Sequence, residues 1–181
     1  MYNIGFYSPI MQSGKSTSLN YLKDKYGYQS VVLARTLKRM VGVFLEDLGY
    51  SCDKIQRMIY GDLKEYIIPE IGKTTRELMI SLGSSWGRTE VHPDIWVIIA
   101  TRNLNSEINY ISDDIRYENE YLNFKKAGFK IVRIENPRIP IVKSECEGNL
   151  EDFEFDYKIL NDSTLSSLYS KLGDMITYFG G

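Results

Sequence analysis

The sequence is poor in the residues that build metal sites and disulfide frameworks. Its 181 residues include two cysteines and one histidine. Cys52 and Cys146 lack CxxC spacing, and with His92 as the single histidine they predict no zinc site. This cysteine usage favours a reduced, cytoplasmic compartment.

Long hydrophobic runs and an excess of one charge are also missing. No apolar run reaches the length of a membrane span, and the first residues carry no secretory signal pattern. The net charge of -2 and the pI near 5.5 provide no field that would attract a polyanion. The sequence therefore predicts no membrane partner and no long nucleic acid, and any phosphate must be bound by local groups.

The chain does contain an alternation of strand and helix patterns. The predicted strands are 2–7, 30–34, 95–100, 109–112, 130–134 and 155–160. The predicted helices start near residues 15, 35, 53, 74, 118 and 162. Thr74 and Glu77 match a capping box, and that helix is expected to end at Gly83. This alternation predicts a three-layer α/β fold with a mostly parallel sheet of about five strands.

Domain organisation is expected to be simple. Residues 1–181 suit a single domain. Residues 35–92 are expected to form a helical insertion, and the proline-containing stretch 137–152 a lid loop.

Ser13-Gly14-Lys15-Ser16-Thr17 is the strongest motif. It follows the first predicted strand and opens the first helix, where backbone N–H groups and the helix dipole can hold phosphate oxygens. Lys15 would neutralise phosphate charge, and Ser16 or Thr17 would place a hydroxyl near Mg²⁺. The strict P-loop pattern has glycine five residues before Gly14, where this chain has Pro9.

Two arginines suggest a second anion site. Arg76 lies in the first turn of a predicted helix, which the helix dipole disfavours, and Arg88 follows Trp86. Their guanidinium groups could cradle a monophosphate. The alternative is surface ion pairing with Glu77 or Glu90.

The segment Asp113-Asp114-Ile115-Arg116 is expected just after a strand, at the edge where α/β sheets bind ligands. Arg116 and Glu120 lie four residues apart, so they can share one face of a helix. They could form a local ion pair or an active-site pair, and the spacing alone favours the local ion pair.

The aromatic and histidine candidates carry weaker signals. Trp86 and Trp96 could stack a base, although the apolar run around Trp96 favours an interior position. His92 precedes Pro93 in a polar turn, where capping or packing is the expected role.

Taken together, these blocks resemble the phage deoxynucleoside monophosphate kinases. The resemblance rests on 14–17, 75–78 leading to 82–83 and 86–88, then 93–96, 114–120 and 161–164, in that order. It implies a P-loop nucleoside triphosphate hydrolase fold of the nucleotide-kinase type. It also implies ATP-dependent phosphorylation of deoxynucleoside monophosphates, with Mg²⁺, in the cytoplasm of an infected bacterium. Ser16 departs from the aspartate that many members have after the lysine.

The resemblance also assigns roles residue by residue. Ser13 to Thr17 would hold ATP phosphates, with Ser16 as the expected Mg²⁺ contact, and Asn161 would lie beside the adenine. Glu120 would orient Arg116 or meet the deoxynucleotide. The residues expected on the acceptor side are Lys38, Arg76, Trp86, Arg88, Asp114, Arg116 and Glu120. Of these, Arg76, Arg88, Arg116 and Glu120 are expected to act in catalysis together with Lys15.

Two other functions remain open from sequence. One is a related small-molecule kinase of the dephospho-coenzyme A or nucleoside type. The other is a P-loop protein that binds nucleotide without transfer, which Pro9 favours. The sequence also leaves a homodimer open.

Overall fold

The computed structural model describes residues 2–140 and 150–180. Its elements up to the middle of the chain are β1 (Asn3–Tyr7), α1 (Lys15–Tyr26), β2 (Gln29–Ser30), α2 (Arg35–Asp47), α3 (Cys52–Tyr60), β3 (Ile67–Ile68), β4 (Lys73–Thr74), α4 (Thr75–Ile80) and a π-helix (Ser81–Val91). They are followed by α5 (Ile95–Thr101), β5 (Tyr110–Ile115), α6 (Glu118–Lys126), β6 (Phe129–Glu135), β7 (Tyr157–Leu160) and α7 (Leu165–Gly180).

The chain divides into two compact units. The sheet unit contains the chain up to Val32 and from Ala100 onward, and the helical unit is Leu33–Ile99. In the described parts, no helix is long and apolar enough to cross a membrane.

The sheet unit is built on five parallel strands. Their order is β2-β5-β1-β6-β7, so β1 lies in the centre, between β5 and β6. The chain leaves β1 toward β2, on the β5 side, whereas β6 pairs with the opposite side of β1. The carboxyl end of β1 is therefore a switch point, where open α/β sheets leave a crevice. The predicted α/β class with a parallel five-strand sheet is confirmed.

Helices cover both faces of this sheet. On one face, Ile4 and Phe6 of β1 belong to a core shared with Leu22 of α1 and Leu172 of α7. On the other face, Phe124 of α6 makes an edge contact with Phe129 of β6 at 4.7 Å between ring centroids. Because successive side chains of a strand point to opposite faces of the sheet, each strand contributes side chains to the packing on both faces.

The helical unit has its own core, made of fully buried side chains from α2, α3 and β3. These are Val41, Leu45, Met58 and Ile68. Ser51 caps α3 by accepting the Lys54 N–H at 3.4 Å. The predicted capping box of α4 is confirmed: the Glu77 N–H donates to Thr74 Oγ1 at 3.2 Å, and the Thr74 N–H donates to Glu77 Oε2 at 2.8 Å. That donated bond lowers the pKa of the Glu77 carboxyl.

Two predicted strands differ from the structure. Residues 95–100, predicted as a buried strand, form helix α5, with Trp96 and Val97 buried while Ile98 and Ile99 are exposed. A short apolar run fits a buried strand or a one-sided helix equally well, so the pattern could not decide. Of the strand predicted at 30–34, only Ser30 lies in a strand, as the last residue of β2.

Two element boundaries were also wrong. Gly83 does not end the α4 helix, because the chain continues as a π-helix through Gly87 and Arg88. Asp113 and Asp114 lie inside β5 instead of following it.

The predicted lid loop, 137–152, lies largely outside the described residues, which omit 141–149. Within the described end of this stretch, from residue 150 onward, Leu150 is fully buried, and its N–H donates to the Tyr7 hydroxyl at 3.3 Å.

The capping box gives a stability prediction for the helical unit. Thr74→Ala removes the acceptor for the Glu77 N–H and should lower the free energy of unfolding by about 1 kcal/mol, measured by urea denaturation. Thr177→Ala, at an exposed position of α7, is the control and should change it by less than about 0.5 kcal/mol. Equal losses in the two variants would contradict the capping role.

Candidate functional site

A tight loop joins the central strand β1 to helix α1. Gln12 has φ 58° and Gly14 has φ 108°, both in the region that side chains rarely adopt. Pro9, which stands where the P-loop pattern has glycine, is buried, and the Ile10 N–H donates to Ser8 Oγ at 3.4 Å. The loop thus reverses the chain through two left-handed residues, with proline and not glycine at its entry.

The first turn of α1 is suited to an anion. Gly14 is its N-cap and supplies no side-chain cap, and no acidic residue lies in the first turn. Such a helix end leaves backbone N–H groups and a positive partial charge to be satisfied. Lys15 adds a full positive charge, and its Nζ donates to the Ile10 carbonyl at 3.4 Å. Helix dipole and side chain therefore both favour a negative ligand.

The loop opens into a cavity of about 410 Å³ in the sheet unit. Its lining combines the loop and helix start with the end of β5 and the residue that follows it: Met11, Gln12, Ser13, Gly14, Lys15, Ser16, Thr17, Asp113, Asp114 and Arg116. The structure thus brings the predicted phosphate loop together with Asp114 and Arg116. They meet because β5 pairs with β1 in parallel, so both carboxyl ends reach the same edge of the sheet.

Ser16 and Asp113, both in the cavity lining, form a direct hydrogen bond. The Ser16 hydroxyl donates to Asp113 Oδ2 at 2.7 Å. Asp113 was not predicted as a site residue, although an aspartate at the end of a strand near the motif was a usable signal. In the described residues no cluster of three or more histidine, cysteine, aspartate or glutamate side chains could hold a metal. The pair offers two hard oxygen atoms, which are the kind of ligand that Mg²⁺ prefers.

Glu120 holds the turn that carries Arg116. Its side chain is 3% exposed, and Oε2 accepts the backbone N–H groups of Arg116 at 2.8 Å and of Tyr117 at 3.1 Å. These bonds join Glu120 to the backbone at Arg116 and Tyr117; the side-chain pair of Arg116 and Glu120 stays a prediction. Glu120 thus bonds the strand-to-helix turn that carries Arg116, a residue of the cavity lining.

Asn161 lies against the loop between β1 and α1. Its Nδ2 donates to the Ser13 carbonyl at 2.9 Å, and its own N–H donates to the Glu135 carbonyl at 2.7 Å. Ser13 is 1% exposed, and its hydroxyl has no hydrogen-bond partner within the described residues. Next to Asn161, the bond from Lys171 lowers the pKa of the Asp162 carboxyl. The amide expected beside the adenine is thus bonded to the loop itself.

The predicted acceptor residues Lys38, Arg76, Trp86 and Arg88 belong to the helical unit. Arg76 Nε pairs with Glu65 Oε1 at 3.2 Å, with both side chains more than half exposed. For Arg76, the surface ion pair considered from sequence therefore has Glu65 as its partner instead of Glu77 or Glu90. Lys38 Nζ lies 4.7 Å from the centroid of the Tyr60 ring.

The aromatic and histidine candidates of the helical unit have structural contacts. Trp96 is 5% exposed, as expected, and its indole N–H donates to the Gly83 carbonyl at 2.8 Å. Trp86 is 43% exposed, with its ring 6.5 Å from that of Trp96. His92 Nδ1 accepts the Asp94 N–H at 3.0 Å, which is the capping role predicted for it. Arg88 is half-buried in the π-helix.

No family model matches this chain, and no curated protein matches it either.

Loss of the Glu120 acceptor should be costly. Glu120→Ala leaves two backbone donors without their acceptor in a buried place and should lower the free energy of unfolding by about 2 kcal/mol or more. The exposed neighbour in the same turn, Glu118→Ala, should cost at most about 1 kcal/mol. Urea denaturation of both variants decides, and similar small losses would show that Glu120 does not hold the turn.

Proposed function

We propose that this chain is a P-loop kinase that transfers the γ-phosphoryl group of ATP to a deoxynucleoside monophosphate, giving the diphosphate. The donor side of this proposal rests on the geometry of the sheet unit. The acceptor side rests on the resemblance described from the sequence and on the cationic side chains of the helical unit.

The observation that carries the proposal is the pairing of Ser16 with Asp113 beside the start of α1. An isolated anion site needs only N–H groups and a cation, as Lys15 supplies. A hydroxyl bonded to a carboxylate at 2.7 Å adds oxygen ligands next to that anion site. P-loop enzymes use such a serine and aspartate to place Mg²⁺ between protein and phosphates.

The donor residues fit a magnesium nucleotide. Ser16 and Asp113 would hold Mg²⁺, directly or through water, with phosphate oxygens completing its coordination. The ion would neutralise charge on the β and γ phosphates during transfer. The buried Ser13 hydroxyl, which lacks a partner within the described residues, is a further donor at the same loop. Asp114 lines the same cavity.

In the proposed reaction an oxygen of the acceptor monophosphate attacks the γ-phosphorus of ATP. The bond to the β–γ bridging oxygen breaks, and ADP leaves with those electrons. Lys15 and Arg116 would stabilise the charge that spreads over the transferred group, and the loop amides would keep donor and acceptor in line. Lys38, Arg76 and Arg88 would bind the acceptor phosphate, with Trp86 as a surface for its base.

A coupled assay of ADP formation tests the proposal. With ATP, Mg²⁺ and each deoxynucleoside monophosphate in turn, we expect turnover that requires both the monophosphate and the metal. Lys15→Ala should abolish nearly all of it while the thermal melt is unchanged, because a half-exposed lysine at the start of α1 contributes little to the core.

The same assay separates the other candidates. Turnover with dephospho-coenzyme A or nucleosides and not with monophosphates would indicate a related kinase. ATP binding without any acceptor-dependent turnover would indicate a nucleotide-binding protein, and full activity of Lys15→Ala would exclude the loop as the donor site.

Arg116 gives a sharper test of the transfer step. Arg116→Lys keeps the charge but loses the bidentate fork, so turnover should fall by about a hundredfold or more while ATP affinity changes little. Arg102→Lys, at an exposed position of the same unit, is the matched control and should leave both values unchanged. Normal turnover in Arg116→Lys at saturating substrates would remove this side chain from the reaction.

A further inference from the structure

We infer that Asn161 is a positioning residue of the phosphate loop, whose side-chain amide sets the direction of a phosphate-binding N–H group. This inference rests on the proposed function and concerns how the donor site is held in shape. From the sequence, Asn161 was expected to lie beside the adenine; the inference gives it a role at the phosphates.

The first step is the bond that Asn161 makes. Its Nδ2 donates to the Ser13 carbonyl at 2.9 Å. The Ser13–Gly14 peptide is planar and trans, so its C=O and N–H point in opposite directions. Turning the Ser13 carbonyl toward Asn161 therefore turns the Gly14 N–H away from Asn161. That N–H belongs to a residue that lines the cavity.

The second step is the close approach of Gly14 to the Asn161 side chain. Gly14 has φ 108°, and a Cβ placed on it would lie 2.7 Å from Asn161 Nδ2. A side chain at residue 14 would therefore be strained by its backbone and would also displace the amide. The glycine of the motif thus has a steric reason that involves a residue far away in sequence.

The third step is that Asn161 is itself held in place. Its N–H donates to the Glu135 carbonyl at 2.7 Å, which continues the pairing of β6 with β7 by one residue. Its carbonyl accepts from Arg138 Nη2 at 3.4 Å. Both backbone groups of Asn161 are therefore hydrogen-bonded. These bonds hold the residue at the end of β7, from where its side chain contacts the loop after β1.

The two possible roles of Asn161, holding the loop in shape and contacting adenine, predict different losses of binding. If Asn161 orients the loop, its removal should weaken every ligand that carries the phosphates, whether or not a base is present. If it reads adenine, only the nucleotide should be affected. Inorganic triphosphate, which has the phosphates and no base, separates the two.

The experiment is calorimetric titration of the full chain with ATP and with inorganic triphosphate, both with Mg²⁺. Asn161→Ala should weaken both by the same factor, about tenfold, which corresponds to one lost hydrogen bond of the stronger kind. Asn161→Asp, which keeps the shape but turns an oxygen toward the Ser13 carbonyl, should weaken both at least as much. Asn103→Ala, which removes an exposed amide of the same unit, should change neither.

A kinetic readout distinguishes positioning from a loss of stability. The KM for ATP should rise in Asn161→Ala while the KM for the deoxynucleoside monophosphate stays unchanged, at a temperature where the melt shows the variant folded. If Asn161→Ala is not folded there, Asn161→Asp is measured instead.

Three results would overturn the inference. A loss of ATP affinity with unchanged triphosphate affinity would make Asn161 an adenine contact. Unchanged affinity for both ligands would show that the bond to Ser13 does not matter, while leaving the proposed function standing. Failure of the unaltered protein to bind either ligand would contradict both this inference and the proposed function.

Discussion

The backbone of Ser13 and Gly14 is the constraint on which the rest of the site depends. Between the end of β1 at Tyr7 and the start of α1 at Lys15, the chain passes through two left-handed residues, Gln12 and Gly14. Gly14 in that conformation is the N-cap of α1, and it supplies no side-chain cap to the first turn. Lys15 and Ser16 follow at fixed positions, and β5 brings Asp113 to the hydroxyl.

This arrangement supports the proposed binding of phosphate by a chain with a net charge of -2. The attraction is local: a helix end without an acidic first turn, one lysine beside it and one arginine in the cavity lining. The carboxylates of Asp113 and Asp114 in the same cavity would oppose an anion by themselves. A divalent cation reverses their effect, which is why the proposed ligand is a magnesium nucleotide and not a free phosphate.

Local chemistry made some of this structure predictable from the sequence. The helix after Gly14 and the Thr74 capping box depend on neighbours within a few residues, and both were predicted. Contacts between distant residues were not predicted: the Ser16–Asp113 pair and the Asn161–Ser13 bond join residues about a hundred or more apart through the strand order. Helix α5 was taken for a strand because Ile95–Thr101 is apolar on nearly every residue, so its period gave no signal. The helix predicted to end at Gly83 continues as a π-helix, in which Gly87 packs against Trp96, a contact between residues that are not neighbours in sequence.

A crystal structure of the full chain with Mg²⁺ and a non-hydrolysable ATP analogue tests the central claim most directly. The account predicts phosphate oxygens within hydrogen-bond distance of the N–H groups from Gly14 to Thr17 and of Lys15 Nζ. It also predicts Mg²⁺ bound to Ser16 Oγ with Asp113 beside it. Nucleotide bound at another place, or phosphates that leave the Ser16–Asp113 bond and the loop untouched, would contradict it.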